Sequence, residues 1–178
     1  MNATVIAWVC SVAALGLAAV AWLPWVGANI RHPTFTSVAV RIIAVASLDR
    51  VKKLVAAAPA SPYAQGVGAA LAELDRADGC SAGELEVRVR DAFRATMRAG
   101  LARLERRAWL GLVAIGLAAV PFYLVVEGAR WESAMPAGVA VGLVAHAARI
   151  RTKIAVEGAA EFEKLCPALI AAQVRAPA

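Results

Sequence analysis

The chain has 178 residues, 61% of them hydrophobic and 18% charged, with 19 basic side chains against 13 acidic ones and a formal charge of +6. Surplus positive charge can serve nucleic acid, but no basic stripe with interleaved aromatics occurs, so no nucleic-acid partner is expected. Three cysteines and two histidines, with no pair at metal-ligand spacing, predict no metal site, and no cofactor is expected.

Met1 to Ile30 carries no Lys, Arg, Asp or Glu. A helix crosses hydrocarbon with about 20 apolar residues, so 1–30 reads as a first transmembrane helix. A cleaved secretory signal needs a basic start, and Met1 to Cys10 has none, which argues for a retained span.

Residues 31–107 read as a helical insert. From Thr36, the residues Val38, Ile42, Val45, Leu48, Val51 and Leu54 recur at helical spacing and predict one amphipathic helix. Pro59 to Pro62 breaks it. Ser61 and Pro62 then start a second helix as N-cap and first-turn proline, carrying Tyr63, Val67, Leu71 and Leu74 and stopping at Asp78-Gly79. A third begins at Ser81 with Glu84 as a capping box. Its stripe of Leu85, Val89, Phe93, Met97, Leu101 and Leu104 meets no breaker before Trp109, predicting one continuous helix from Ala82 to about Pro121.

Residues 108–126 form a second uncharged span, with Pro121 tolerated inside it. Residues 127–132 are a hairpin loop, and 133–148 a third span. That third run is short for a crossing, so an interfacial or re-entrant segment is its alternative. The tail, 149–178, keeps helical spacing through Ile150, Ile154, Phe162 and Leu165 until Pro167 ends the pattern. The fold class is therefore an all-α membrane protein: three transmembrane helices, long cytoplasmic extensions, and a helical insert between the first two spans.

Charge orients the chain. Thirteen basic residues fall in 31–107 and five after Ala148, but only Arg130 in the hairpin. Basic residues accumulate on the cytoplasmic side, which places the N-terminus outside and the C-terminus inside a multi-pass bacterial inner-membrane protein. Arg106 and Arg107 read as topology anchors, and Trp8, Trp25, Trp109 and Trp131 as interfacial indoles. No nucleophile motif, phosphate loop or carboxylate pair is present, so no enzymatic activity is expected.

This organisation resembles the MotA/TolQ/ExbB proton-channel family. Leu101-Ala102-Arg103-Leu104-Glu105-Arg106-Arg107 is similar to the entry before that family's second span, and Pro136 with Gly138 to Ala147 is similar to its Pro-Gly-Ile-Ala-Glu-Ala-Leu-Ile-Ala-Thr-Ala stretch. The resemblance implies a homo-oligomer, pentameric if family-like, that encloses a single-span membrane protein of the TolR/ExbD type. Such a complex couples the proton gradient to mechanical work, with the partner supplying the intramembrane carboxylate. The chain departs from the family at Ile115 to Pro121, which lacks the hydroxyl of Leu-Gly-Leu-Leu-Gly-Thr-Val. It departs again at Val141, where some members have Glu, and at His146, where Thr is expected. These departures describe a divergent member that has lost much of the family's polar lining and need not conduct.

His146 is the candidate on a proton path, since imidazole can relay protons near neutral pH; its alternative is a side chain that snorkels to water near Arg149. Glu127 is a candidate outer pore mouth, or else a helix-end residue pairing with Arg130. Gly138 and Gly142 make a Gly-x-x-x-Gly face for helix packing. Besides the lipid bilayer and the partners implied by resemblance, the alternative function is a membrane-anchored scaffold whose cytoplasmic helices dock a soluble protein.

Overall fold

The computed structural model describes residues 2–45, 48–76 and 80–175. Among them every regular element is helical. Seven α-helices run α1 Ala3–Ala28, α2 His32–Val45, α3 Leu48–Ala56, α4 Pro62–Asp75, α5 Ala82–Glu105, α6 Ala108–Val126 and α7 Met135–Arg175, with a 3-10 turn at Trp131–Ala134. Three helical stretches are long and apolar enough to cross a membrane; they lie within Ala3–Val45, Ala82–Val126 and Trp131–Gln173. The chain divides into two compact units: residues 1–26 with 104–151, and 27–103 with 152–178.

The first unit is built on alanine. Ala14 and Ala18 of α1, Ala114 and Ala118 of α6, and Ala137 and Ala140 of α7 form its buried core, with Leu15, Leu17, Leu117, Leu143 and Val144 around them. Small side chains let helix backbones approach closely, the packing expected where the surroundings are as apolar as leucine. Ser11 donates its hydroxyl proton to the Ser133 carbonyl, so a buried polar group on α1 is satisfied by the segment entering α7. Pro24 and Pro121 lie inside α1 and α6 without ending them.

The turn after α6 follows from Gly128. Its φ of 99° is a left-handed conformation that costs glycine nothing. The Ala129 N–H reaches the Leu124 carbonyl at 2.8 Å and the Gly128 N–H the Val125 carbonyl at 3.1 Å, a Schellman closure of the helix. α7 then starts at Met135, so the third apolar run is the opening of a 41-residue helix.

The second unit has a conventional aromatic and aliphatic core. Ser61 caps α4, its Oγ accepting the Ala64 N–H at 3.5 Å with Pro62 in the first turn. The predicted stripe of Tyr63, Val67, Leu71 and Leu74 is buried. The Ser81–Glu84 box forms in both directions: Glu84 Oε2 accepts the Ser81 N–H at 3.1 Å and Ser81 Oγ accepts the Glu84 N–H at 3.4 Å. From α5, Leu85, Val89, Phe93 and Met97 pack inward, and from α7 Ile154, Phe162, Leu165 and Leu169 do so. Lys52 pairs with Asp75 at 2.8 Å between α3 and α4, and Arg90 with Glu163 at 3.0 Å between α5 and α7.

Three expectations are corrected. The helix expected to run unbroken from Ala82 to Pro121 is interrupted at Arg106-Arg107. There the Arg107 N–H bonds the Leu104 carbonyl at 3.4 Å and the Leu110 N–H bonds the Arg107 carbonyl at 3.1 Å, a turn tightened to three-residue spacing. The interruption falls where the chain changes cores: α5 buries Phe93, Met97 and Gly100, whereas α6 buries Gly111, Ala114 and Ala118. Pro167 does not end α7. It removes one backbone donor, but buried Leu165, Cys166 and Leu169 keep the flanking turns packed, and tertiary burial outweighs the lost bond. In α2 the buried face is His32, Phe35, Thr36 and Ala39, while Val38 and Val45 are exposed. The expected single helix over Thr36–Leu54 is described as α2 and α3, with residues 46 and 47 outside the described residues. The expected stop at Asp78-Gly79 also lies outside them; α4 closes at Arg76, whose N–H reaches the carbonyls of Glu73 and Leu74.

Candidate functional site

The residues singled out along the spans belong to the first unit, and their positions differ. His146 is an exposed side chain on α7, its ring centre 6.3 Å from that of Trp22 and tilted by 51°. Glu127 is the exposed C-cap of α6, and Arg130 pairs with Glu132 at 3.3 Å. His146 lies eleven residues into α7, roughly 16 Å of helix from its start, so the structure does not bring it together with Glu127 beside the hairpin. Gly138 and Gly142 are exposed, and a Cβ at either would meet nothing within 4 Å. The Gly-x-x-x-Gly face is therefore unused inside the chain. The inward neighbours are Ala137 and Ala140, on the other side of the helix.

The second unit contains a buried polar cluster that hydropathy patterning passes over. His32 opens α2 and is fully buried. Its ring meets Tyr63 of α4 edge-on at 5.1 Å, in a line of rings: Phe35 against Tyr63 at 5.5 Å, Tyr63 against Phe93 at 5.7 Å, and Phe93 stacked on Phe162 at 3.7 Å. The Tyr63 hydroxyl and Thr36 Oγ1 share a hydrogen bond of 2.7 Å. Glu157 of α7 brings Oε2 to 3.9 Å from His32 Nδ1, beyond hydrogen-bond reach, and neither ring nitrogen of His32 has a partner. Glu161, one turn further along α7, is buried and paired with Lys164. Gly158 permits this approach, since a Cβ there would come within 2.9 Å of Met97 Cε and 3.2 Å of Tyr63 Cδ2.

Burial sets the electrostatics. It lowers the His32 pKa from its ordinary 6.5, with the Glu157 carboxylate opposing and the Lys153 ammonium assisting. Tyr63 is pushed up to about 12 by burial, against the hydrogen bond from Thr36. Burial likewise raises the Cys166 thiol, with Arg90 pulling the other way. Cys10, Cys80 and Cys166 are free thiols. Among the described residues no three His, Cys, Asp or Glu side chains converge to hold a metal.

The signal for His32 was present in sequence as the i, i+3, i+4, i+7 set of His32, Phe35, Thr36 and Ala39. Hydropathy alone selects the opposite side of α2, because Val38 and Ile42 are more apolar than His32 and Thr36. No protein-family model, curated protein or solved structure matches this chain.

Proposed function

We propose that the chain is a divergent subunit of an oligomeric bacterial inner-membrane complex of the TolQ/ExbB type, in which copies of the chain enclose a single-span partner of the TolR/ExbD type. The observation that carries this reading is the Gly138/Gly142 face on α7. It is free of intrachain contact, while the opposite side of the same helix is packed through Ala137 and Ala140. A small-residue face of this kind permits close approach of a further helix in the bilayer. His146, four residues beyond Gly142, lies on the same exposed helix and would line the junction between copies.

The interior of the three helices is alanine, and the hydroxyl of Ser11 is committed to the Ser133 carbonyl. Any proton path would therefore run between chains, with the partner providing the acid. The distribution of Lys and Arg supports an N-terminus outside and the two helical extensions in the cytoplasm. The same sparsity of polar groups favours a second reading, a membrane-anchored scaffold whose helical unit docks a soluble protein without transport.

Native mass spectrometry of the complex drawn gently from its host membrane separates the two. A closed ring of about five copies with a single-span protein inside is the expected result. Gly138→Ile and Gly142→Ile should abolish the ring while leaving helix content unchanged. A monomer, or a complex with one soluble protein, would overturn the ring and leave the scaffold.

A further inference from the structure

We propose that His32 is a buried proton-binding site, which seals α2 against α4 and α7 while the imidazole is neutral and loosens that junction when it takes up a proton. A neutral imidazole carries one N–H donor and one lone pair, and here both are buried without a partner. An unmet buried polar group is destabilising, so a phenylalanine or leucine would serve packing better at this position. Protonation gives the ring a use that neither apolar residue has.

The groups that face it come from each element packed against it. From α4 comes Tyr63, presenting a ring whose hydroxyl is held by Thr36 of α2. From α7 come Glu157, half-exposed at 3.9 Å, with Lys153 one turn before it and Glu161 one turn after. The two carboxylates favour the cation, the Lys153 ammonium opposes it, and burial among aromatic rings opposes it more strongly than any of them. A charged His32 cannot be satisfied where it lies. Its hydrogen bond to Glu157 would need a separation of about 2.8 Å, so either α7 and α2 shift or the ring moves toward water.

The sign follows from linkage. The folded pKa lies below the ordinary 6.5, so the closed junction is favoured above pH 6.5 and loses stability as pH falls below it. The loss reaches at most about tenfold in the closed-to-open ratio per pH unit, until the folded pKa is passed. This inference concerns the helical unit alone and holds whether or not the chain forms a ring.

The test uses the full chain in lipid nanodiscs with 15N-labelled histidine, the two histidine signals being told apart with His146→Gln. The expected result is a His32 midpoint below 6.5. Amide-exchange protection over His32–Val45, corrected for intrinsic rate, should fall up to about fivefold between pH 6.5 and 5.5 while protection over α6 stays constant. Glu157→Gln should lower the midpoint and let the loss of α2 protection continue further down in pH, because it lowers the folded pKa and leaves the open-state value unchanged. His32→Phe should leave α2 protection flat across this range. An ordinary midpoint near 6.5, or unchanged α2 protection down to pH 5.5, overturns the proposal. If His32→Phe does not fold, Glu157→Gln decides: a midpoint that does not move removes the carboxylate from the site and the proposal with it.

Discussion

Tyr63 shows how much a single side chain can organise. Its ring edge meets His32, Phe35 and Phe93, and its hydroxyl satisfies Thr36. Tyr63→Phe keeps the ring packing but strands Thr36 Oγ1 in a buried site, and should cost about 1–3 kcal/mol in denaturant unfolding. Thr36→Val in the same background should recover part of that loss, because both partners are then apolar. The raised pKa of Tyr63 predicts alkaline sensitivity. The folded state retains its phenolic proton up to about 12 while the unfolded chain releases it near 10, so stability present below pH 10 drains away as pH rises through that interval. Tyr63→Phe should flatten that limb, measured as melting temperature against pH.

Among the elements, the helices of the second unit meet through glycines that differ in tolerance. A Cβ at Gly66 of α4 would lie 2.7 Å from Phe93 Cδ2 and 3.2 Å from the Phe93 carbonyl. Phe93 is stacked on Phe162 at 3.7 Å and cannot swing aside, so Gly66→Ala should destabilise by about 1–3 kcal/mol. At Gly158 the closest atom is the end of Met97, a flexible side chain that can yield, so Gly158→Ala should cost measurably less. Equal losses for the two substitutions in thermal unfolding would show that Phe93 is not held by its stack. Much of this level was readable in advance. The Ser61 cap, the Ser81–Glu84 box and the stripes of α4 and α5 rest on interactions within a few residues of sequence. The continuation of α7 through Pro167 was not readable, because it depends on what Leu165, Cys166 and Leu169 are buried against.

Across the whole molecule, two cores of different chemistry share one chain: alanine in the first unit, aromatic and branched aliphatic in the second. Damage to one core should remain local to it. Phe93→Ala removes a ring that touches both Tyr63 and Phe162 and should cost about 3–5 kcal/mol. Exchange protection should fall across α4 and α5, with α1 and α6 unaffected; a uniform fall over both units would show that they unfold as one.

The sequence by itself determined that this is an all-helical chain with three helices able to cross a membrane, and it determined the caps that start α4 and α5. Both follow from local properties, the length of an uncharged run and hydrogen bonds a few residues apart. The candidate site divided along the same line. His146, Glu127, Gly138 and Gly142 stood out because charge or smallness inside an apolar run is visible in one dimension. Only the tertiary structure decided that Gly138 and Gly142 face away from the alanine core. It alone decided that α2 buries Thr36 rather than Val38, since the hydroxyl finds Tyr63. It alone gave His32 a carboxylate too distant to bond and no other partner. Those facts arise from contacts between residues 27 to 125 positions apart, and such distances leave no mark on the spacing of a sequence.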